Sequence, residues 1–206
     1  MNKILNILGS LAIPYILLFV SLQSVMYNEE FYDQQFAQNG AYEKFGRETV
    51  QQAASDLLKV YRSGGPLTNA LFNKKEMQHA DDVRKLYQGV KGIFYGCLIL
   101  FLSMMIFMRK KEERANMLIR GSCITLLVLI LLVPVLLTEF TPTFTRFHEM
   151  VFTNADWMLN PATDNMILLF PESFFVAFAT SVLKTTSMLT LICLGIGKAM
   201  HSRNVC

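Results

Sequence analysis

Charge is thin in this sequence. Asp, Glu, Lys and Arg make up 17% of its 206 residues, against about a quarter in an average soluble domain. An ordinary solvated globule, a coiled coil and a disordered chain are therefore excluded. Eleven glycines and six prolines are too few and too scattered for a collagen-like or low-complexity chain. A net charge of +3, dispersed along the chain, leaves no footprint for a nucleic acid. The four cysteines fall at Cys97, Cys123, Cys193 and Cys206. None of them lies in a long polar connection, so they read as small apolar packing residues and not as a disulfide framework.

What fills the chain instead is apolar, at 52% of residues with a mean hydropathy of +0.35, and it comes in blocks. Segments 4–27, 92–108, 121–138 and 173–197 are almost free of charge and have the length of roughly 17 to 25 residues that crosses a bilayer as a helix. Pro14 lies inside the first, Pro134 near the end of the third, and Lys184 alone interrupts the fourth. The first is too long for the core of a cleaved signal peptide, and Ser21-Leu22-Gln23-Ser24 is a poor cleavage site, so it reads as a retained helix.

Orientation follows from lysine and arginine near the span ends, which stay on the cytoplasmic side. The short connection 109–120 carries Arg109, Lys110, Lys111, Arg114 and Arg120, and Lys3, Lys198 and Arg203 fall on the same side. Both termini are then expected in the cytoplasm. Connections 29–91 and 139–172 face outwards, the second acidic apart from Arg146. The fold expected is an all-α integral membrane protein: a single membrane domain over 1–206 with four transmembrane helices and a small helical extracellular cap built from the two long connections.

Connections of that length normally carry structure of their own. Val50, Ala53, Leu57, Val60 and Tyr61 recur at helical spacing, and Gly64-Gly65-Pro66 ends the pattern. Asn73 with Glu76 three residues on has the form of a capping box, and Met77, Ala80, Val83, Leu86 and Val90 then make one apolar stripe. His79 and Asp82 lie beside that stripe. In the second connection Phe144, Phe147 and Val151 share a helical face with His148 next to them, and Trp157, the only tryptophan, suits a membrane boundary.

Catalytic motifs are few. Gly195-Ile196-Gly197 lacks a third glycine and a preceding strand, so it binds no dinucleotide or phosphate. There is no Gly-x-Ser-x-Gly turn and no outer cysteine to form an acyl-enzyme. His148-Glu149 begins like a zinc-protease helix, but Phe152 stands where the second histidine belongs.

Of three histidines, His79 and His148 face outwards, each near the boundary of cap and membrane, whereas His201 is in the tail. Imidazole, with an ordinary pKa of about 6.5, both accepts and donates protons near neutrality. From the residues alone three readings stand: an acid/base pair, boundary histidines satisfied by local hydrogen bonds, or metal ligands together with Asp82, Glu149 or Asp156. The last matches no established ligand spacing. Lys184 is either a functional residue on a pathway through the membrane or an amine facing the bundle interior and bonded to hydroxyls of Thr185, Thr186 and Ser187.

Four stretches carry a resemblance. Phe144-Thr145-Arg146-Phe147-His148-Glu149-Met150-Val151-Phe152, then Asp156-Trp157-Met158-Leu159-Asn160-Pro161 and Phe170-Pro171-Glu172-Ser173-Phe174-Phe175, resemble the bacterial lipoprotein intramolecular transacylase family. Glu76-Met77-Gln78-His79-Ala80-Asp81-Asp82-Val83 is similar to that family's other histidine motif. The resemblance covers essentially the whole chain. It implies an enzyme of the bacterial cell membrane, working on the outer face, that moves the sn-2 acyl chain of a diacylglyceryl-modified lipoprotein to the α-amine of its N-terminal cysteine and leaves the lyso form. His79 and His148 are the implied catalytic residues, with Asp82, Arg146, Asp156 and Trp157 supporting them or positioning substrate. No cofactor and no metal are implied, and the partners are lipoproteins and membrane lipid.

The missing serine and cysteine motifs then make chemical sense, because nucleophile and ester belong to one substrate molecule. A further expectation is geometric: a straight helix would hold His79 about 20 Å from Gly92, so a bend at Gly89 or Gly92, or a course along the interface, is expected. Rings within about 10 Å of each other are required for paired proton handling. The rival reading is a non-enzymatic small membrane transporter or sensor subunit that uses Lys184. Four spans without repeats or broken helices make poor material for a transporter.

Overall fold

Lipid-soluble helices need every backbone polar group bonded within the segment, and the four apolar stretches fold accordingly. The computed structural model describes residues 3–202, so Arg203 and Cys206 lie outside the described residues. Among the described residues there are helices and no strands. The elements are α1 (Lys3–Met26), α2 (Glu29–Gln38), α3 (Ala41–Phe45), α4 (Arg47–Ser63), α5 (Lys74–Phe107), α6 (Lys111–Thr138), α7 (Phe140–Val151), α8 (Met166–Leu169) and α9 (Glu172–Ser202). Four of them, α1, α5, α6 and α9, are long and apolar enough to cross a membrane. Pro14 and Pro134 are accommodated inside α1 and α6. α5 continues unbroken through Gly89 and Gly92.

The chain divides into two compact units. The first gathers α1 up to Ser24, Lys91–Leu137 and α9 from Thr180. Its core is Ile13, Met104, Met108, Met117 and Leu118. Small residues set the helix spacing: a Cβ on Gly121 would stand 2.7 Å from the Cβ of Ile13, one on Gly9 would meet the sulfur of Met117, and one on Gly197 would stand 2.9 Å from Ile119. Such close approach gives the dispersion contact that holds helices together where lipid removes the hydrophobic drive. Four buried hydroxyls inside this unit return to their own helices. Ser10, Thr125, Thr186 and Thr190 donate to the carbonyls of Asn6, Gly121, Val182 and Thr186.

Lys184 faces neither the interior nor those hydroxyls. It is exposed on the surface of this unit, and Thr185, Thr186 and Ser187 each donate to the carbonyl four residues back. It shares the outward face of α9 with Met188, Leu191 and Ile192, as helical spacing from position 184 dictates.

The second unit, Val25–Val90 with Thr138–Ala179, is the cap. Its core runs from Phe36 through Val50, Ala53 and Leu57 of α4 to Ala80, Leu169 and Phe174. Rings of Phe31, Tyr32, Phe36, Phe170, Phe174 and Phe178 meet edge to face or stacked, arrangements favoured by the aromatic quadrupole. α4 is amphipathic, as its spacing dictates, and stops at Gly64 and Gly65, whose φ of +82° and +97° glycine adopts without strain. At the start of α5 the capping box forms: Glu76 N donates to Asn73 Oδ1 at 3.0 Å and Asn73 N donates to Glu76 Oε2 at 2.7 Å.

Glu76 does more than cap. It is fully buried, and its other carboxylate oxygen accepts from the backbone N–H of Met166. Beside it Asp164 accepts from Asn73 Nδ2 at 2.8 Å and from Asn160 N at 2.7 Å, and Lys75 lies 3.6 Å from the same carboxylate. Asn165 Nδ2 donates to the carbonyl of Leu71. The segment between α7 and α9 is thereby fixed on the first turn of α5, close to the turn that carries His79.

Candidate active site

α7 is an amphipathic helix whose inward face carries Phe144, His148 and Val151, at the i, i+4, i+7 spacing of one helical stripe. His148 is buried. Its Nδ1 stands 2.7 Å from the carbonyl oxygen of Phe144, one turn back. A carbonyl only accepts, so Nδ1 carries the hydrogen and donates it, and Nε2 is left with a free lone pair. The ring is boxed by aromatics: Phe144 at 4.2 Å, Trp157 at 5.2 Å, Phe147 and Phe152 at 5.5 Å between centroids. Removal from water pushes the His148 pKa below its ordinary value, with the Phe144 carbonyl opposing the shift, because a desolvated cation is the disfavoured form.

His79, on the second turn of α5, has its ring centroid 5.9 Å from that of His148. The two histidines meet inside the cap unit with no interruption of α5 at either glycine. Phe152 packs edge-on against His79 at 5.3 Å. The residue that spoils the zinc-protease motif thus touches both imidazoles. His79 Nδ1 is buried with no hydrogen-bond partner among the described residues, a polar atom held ready in an aromatic enclosure.

The four supporting candidates divide. Trp157 is in the ring cluster on His148. Asp82, one turn beyond His79, accepts from Asn154 Nδ2 at 2.8 Å, and its other oxygen lies 3.4 Å from Gln78 Nε2 and 3.5 Å from Lys85 Nζ. Asp156 follows in the same loop, its backbone N–H donating to Asn154 Oδ1 at 3.0 Å. The hydrogen bond that orients the His148 ring comes from the backbone of Phe144, and the two carboxylates act through their charge on His79. Arg146 is exposed on α7 and, among the described residues, makes no ion pair. Among the described residues no three His, Cys, Asp or Glu side chains converge as a metal site would require.

Sequence reasoning missed Phe152 as a contact of both rings, Asn154 as the link from Asp82 to the loop after α7, and the cross-chain role of Glu76. Only the Phe144 carbonyl was accessible in principle, since any histidine on a helix has a carbonyl four residues behind it.

Comparison with known proteins bears on this arrangement. A search of curated sequences gives no match. The family described as lipoprotein intramolecular transacylase Lit matches over residues 7–175. The in meso structure of the membrane-integral lipoprotein intramolecular transacylase Lit from Bacillus cereus superposes with a TM-score of 0.89 at 19% identity, covering 98% of this chain and 96% of that one. Two further structures of the Bacillus cereus protein, with a histidine changed to arginine or to alanine, give TM-scores of 0.84 and 0.83 at 18% identity. They cover 98% of this chain and 92% and 94% of theirs. At that identity the structural likeness establishes the fold, while the sequence match over most of the chain establishes kinship. This multi-pass membrane protein belongs to the lipoprotein intramolecular transacylase family and is therefore an acyltransferase.

Proposed function

We propose that this protein moves the sn-2 acyl chain of a diacylglyceryl-modified lipoprotein to the α-amine of its N-terminal cysteine, with His148 as the proton carrier and His79 as the oxyanion donor. One observation carries the assignment: two imidazoles 5.9 Å apart, one of them held by Phe144 with its Nε2 lone pair free.

The substrate α-amine, with an ordinary pKa of about 7.7 to 8.0, attacks the ester carbonyl in its free-base form. The C–N bond forms, the carbonyl oxygen takes the negative charge, and His148 Nε2 accepts the proton that nitrogen loses. The ring N–H of His79 donates to that oxyanion, where a fixed donor in a dry site is worth most. As the ester C–O bond breaks, His148 returns its proton to the departing glyceryl oxygen. Ester plus amine become amide plus alcohol, and both histidines end neutral. Because amine and ester share one molecule, correct placement supplies up to about 7 to 11 kcal/mol of the barrier. No enzyme nucleophile is needed. Asp82 and Asp156 favour, through their charge, the proton that His79 offers to the oxyanion, and Trp157 with the phenylalanines excludes water.

The basic connection 109–120 supports cytoplasmic termini and a histidine site on the extracellular side. Mass spectrometry of the N-terminal peptide of a reporter lipoprotein tests the reading. Cells with the intact protein yield an acyl chain on nitrogen, and cells with His148→Ala do not. Transfer at the normal level in both His148→Ala and His79→Ala would remove the mechanism.

A further inference from the structure

The cap holds a second concavity that the histidine chemistry does not use. A cleft of about 450 Å³ opens along the outer face of α4 against α2 and α3. That volume falls within the roughly 300 to 1,000 Å³ of small-ligand sites. Its apolar walls are the rings of Tyr27, Tyr32, Phe36 and Tyr42, and Ser55 and Leu58 of α4 form the opposite side. The same helix sends Val50, Ala53 and Leu57 into the core against Ala80, the neighbour of His79. Cleft and histidine pair are thus features of one packed unit.

The rim bears both signs of charge. Glu29 and Asp33 come from α2, and Lys59 and Arg62 from α4. Asp33 is engaged, accepting from Tyr42 and Arg47 at 2.6 Å each, and Lys59 lies 3.4 Å from Asp56. Arg62 rests over the Tyr27 ring, 4.5 Å from its centroid, and makes no ion pair among the described residues.

Three classes of occupant are distinguishable by chemistry. A phosphate headgroup would meet the carboxylates of Glu29 and Asp33. An acyl chain would strip water from Gln51, Ser55, Lys59 and Arg62 without returning hydrogen bonds, which disfavours it. A polypeptide carries a donor and an acceptor at nearly every residue, and an extended one lies readily along aromatic walls.

We propose that this cleft binds the polypeptide that follows the acylated cysteine of the lipoprotein substrate. The proposal rests on the acyl-transfer reading above and adds to it: the histidine pair handles ester and amine, and the cleft of α2, α3 and α4 holds the emerging chain. Specificity for a lipoprotein over a free diacylglyceryl thioether then resides in the cap, away from the reacting atoms.

The experiment is a competition between two synthetic diacylglyceryl-cysteine lipopeptides, one ending a single residue after the cysteine and one extending about ten residues, each residue adding at most about 3.3 to 3.6 Å of reach. Intact protein in detergent is expected to prefer the longer by roughly tenfold in kcat/KM. Ser55→Trp, which fills the cleft from an exposed position, removes most of that preference, and Arg62→Glu reduces it through a surface change that a folded cap tolerates. Glu48→Trp, on α4 outside the cleft, retains it. A preference undiminished in both Ser55→Trp and Arg62→Glu overturns the proposal, as does equal use of the two lipopeptides by the intact protein. Equal use strikes the cleft alone; absence of transfer from either lipopeptide strikes the acyl-transfer reading and takes the cleft with it.

Discussion

In the four-helix unit the outward positions are Ile99, Ile106, Ile130 and Leu191, more than half exposed in every case, while on α4 of the cap the outward positions are Arg47, Glu48, Gln51 and Gln52. The inward positions differ as well. The membrane unit packs methionines and glycines so closely that Gly121 has no room for a methyl group against Ile13. The cap packs phenylalanines and tyrosines around α4. Each unit is built for its solvent. Lipid rewards close backbone approach and tolerates apolar exposure, whereas water drives large apolar surfaces inward.

The chemistry-bearing side chains follow the same division. Asp82, Asp164, Glu76 and both paired histidines belong to the cap, where neighbouring polar groups satisfy the carboxylates and His79 Nδ1 stays unpartnered among the described residues. In the membrane unit the hydroxyls of Thr125, Thr186 and Thr190 bond to carbonyls of their own helices. On the proposed function, one region is an anchor and the other a reaction vessel.

The sharpest way to break that contrast is to damage the vessel and leave the anchor intact. His148→Ala and His79→Ala are each expected to lower acyl transfer by about 100- to 10,000-fold, the usual worth of acid/base groups, with no shift in thermal unfolding beyond what one buried ring supports. Rates on a reporter lipopeptide, paired with an unfolding scan, read both quantities.

Next in size is the cap's internal tie. Glu76→Ala removes the carboxylate that accepts from Asn73 and Met166. At about 1.5 to 3 kcal/mol for a hydrogen bond to a charged group, it should destabilise the cap by roughly 3 kcal/mol or more. Hydrogen exchange localises the loss: amides of α4 and α8 should open first, those of α6 last.

The anchor is tested by Gly121→Val, which forces Ile13 or the backbone to move and is expected to cost about 1 to 3 kcal/mol, as overpacking does. Gly92→Ala, in the same unit and with nothing within 4 Å of the added carbon, is the matched control and should leave the unfolding midpoint unchanged or slightly raised.

A pH series sharpens the comparison. Burial lowers the His148 pKa in the folded protein, so between that lowered value and the ordinary one near 6.5 the unfolded chain binds a proton that the folded chain does not. Stability from this group is fully present above about pH 6.5 and is lost as pH falls through the folded value. The acidic limb of kcat/KM, measured with a lipopeptide, should likewise lie below the ordinary imidazole pKa. A limb above 6.5 would contradict the neutral-base role.

The smallest effect belongs to the surface of the anchor. Lys184→Leu replaces an exposed amine on an apolar face and should leave acyl transfer within twofold of normal, about 0.4 kcal/mol in free energy. A large loss there would revive a functional role for the membrane unit itself.

How much of this was written in the amino-acid order is visible residue by residue. The four spans were readable because bilayer solvation acts on composition over a window, a local property. The end of α4 at Gly64-Gly65 and the Asn73–Glu76 box were readable for the same reason, since caps and turns join residues a few positions apart. Even the resemblance of the His148 stretch rests on a contiguous string. Lys184 was not readable, because its facing depends on how far α9 is rotated within its bundle.

The tertiary structure alone decided that His79 and His148 stand 5.9 Å apart, that Phe152 touches both, and that Asn154 closes on Asp82. Those contacts join distant stretches of chain, and their existence depends on side-chain packing that no local rule encodes. Hydropathy determined where the chain crosses the membrane. Packing determined where two imidazoles share one aromatic enclosure.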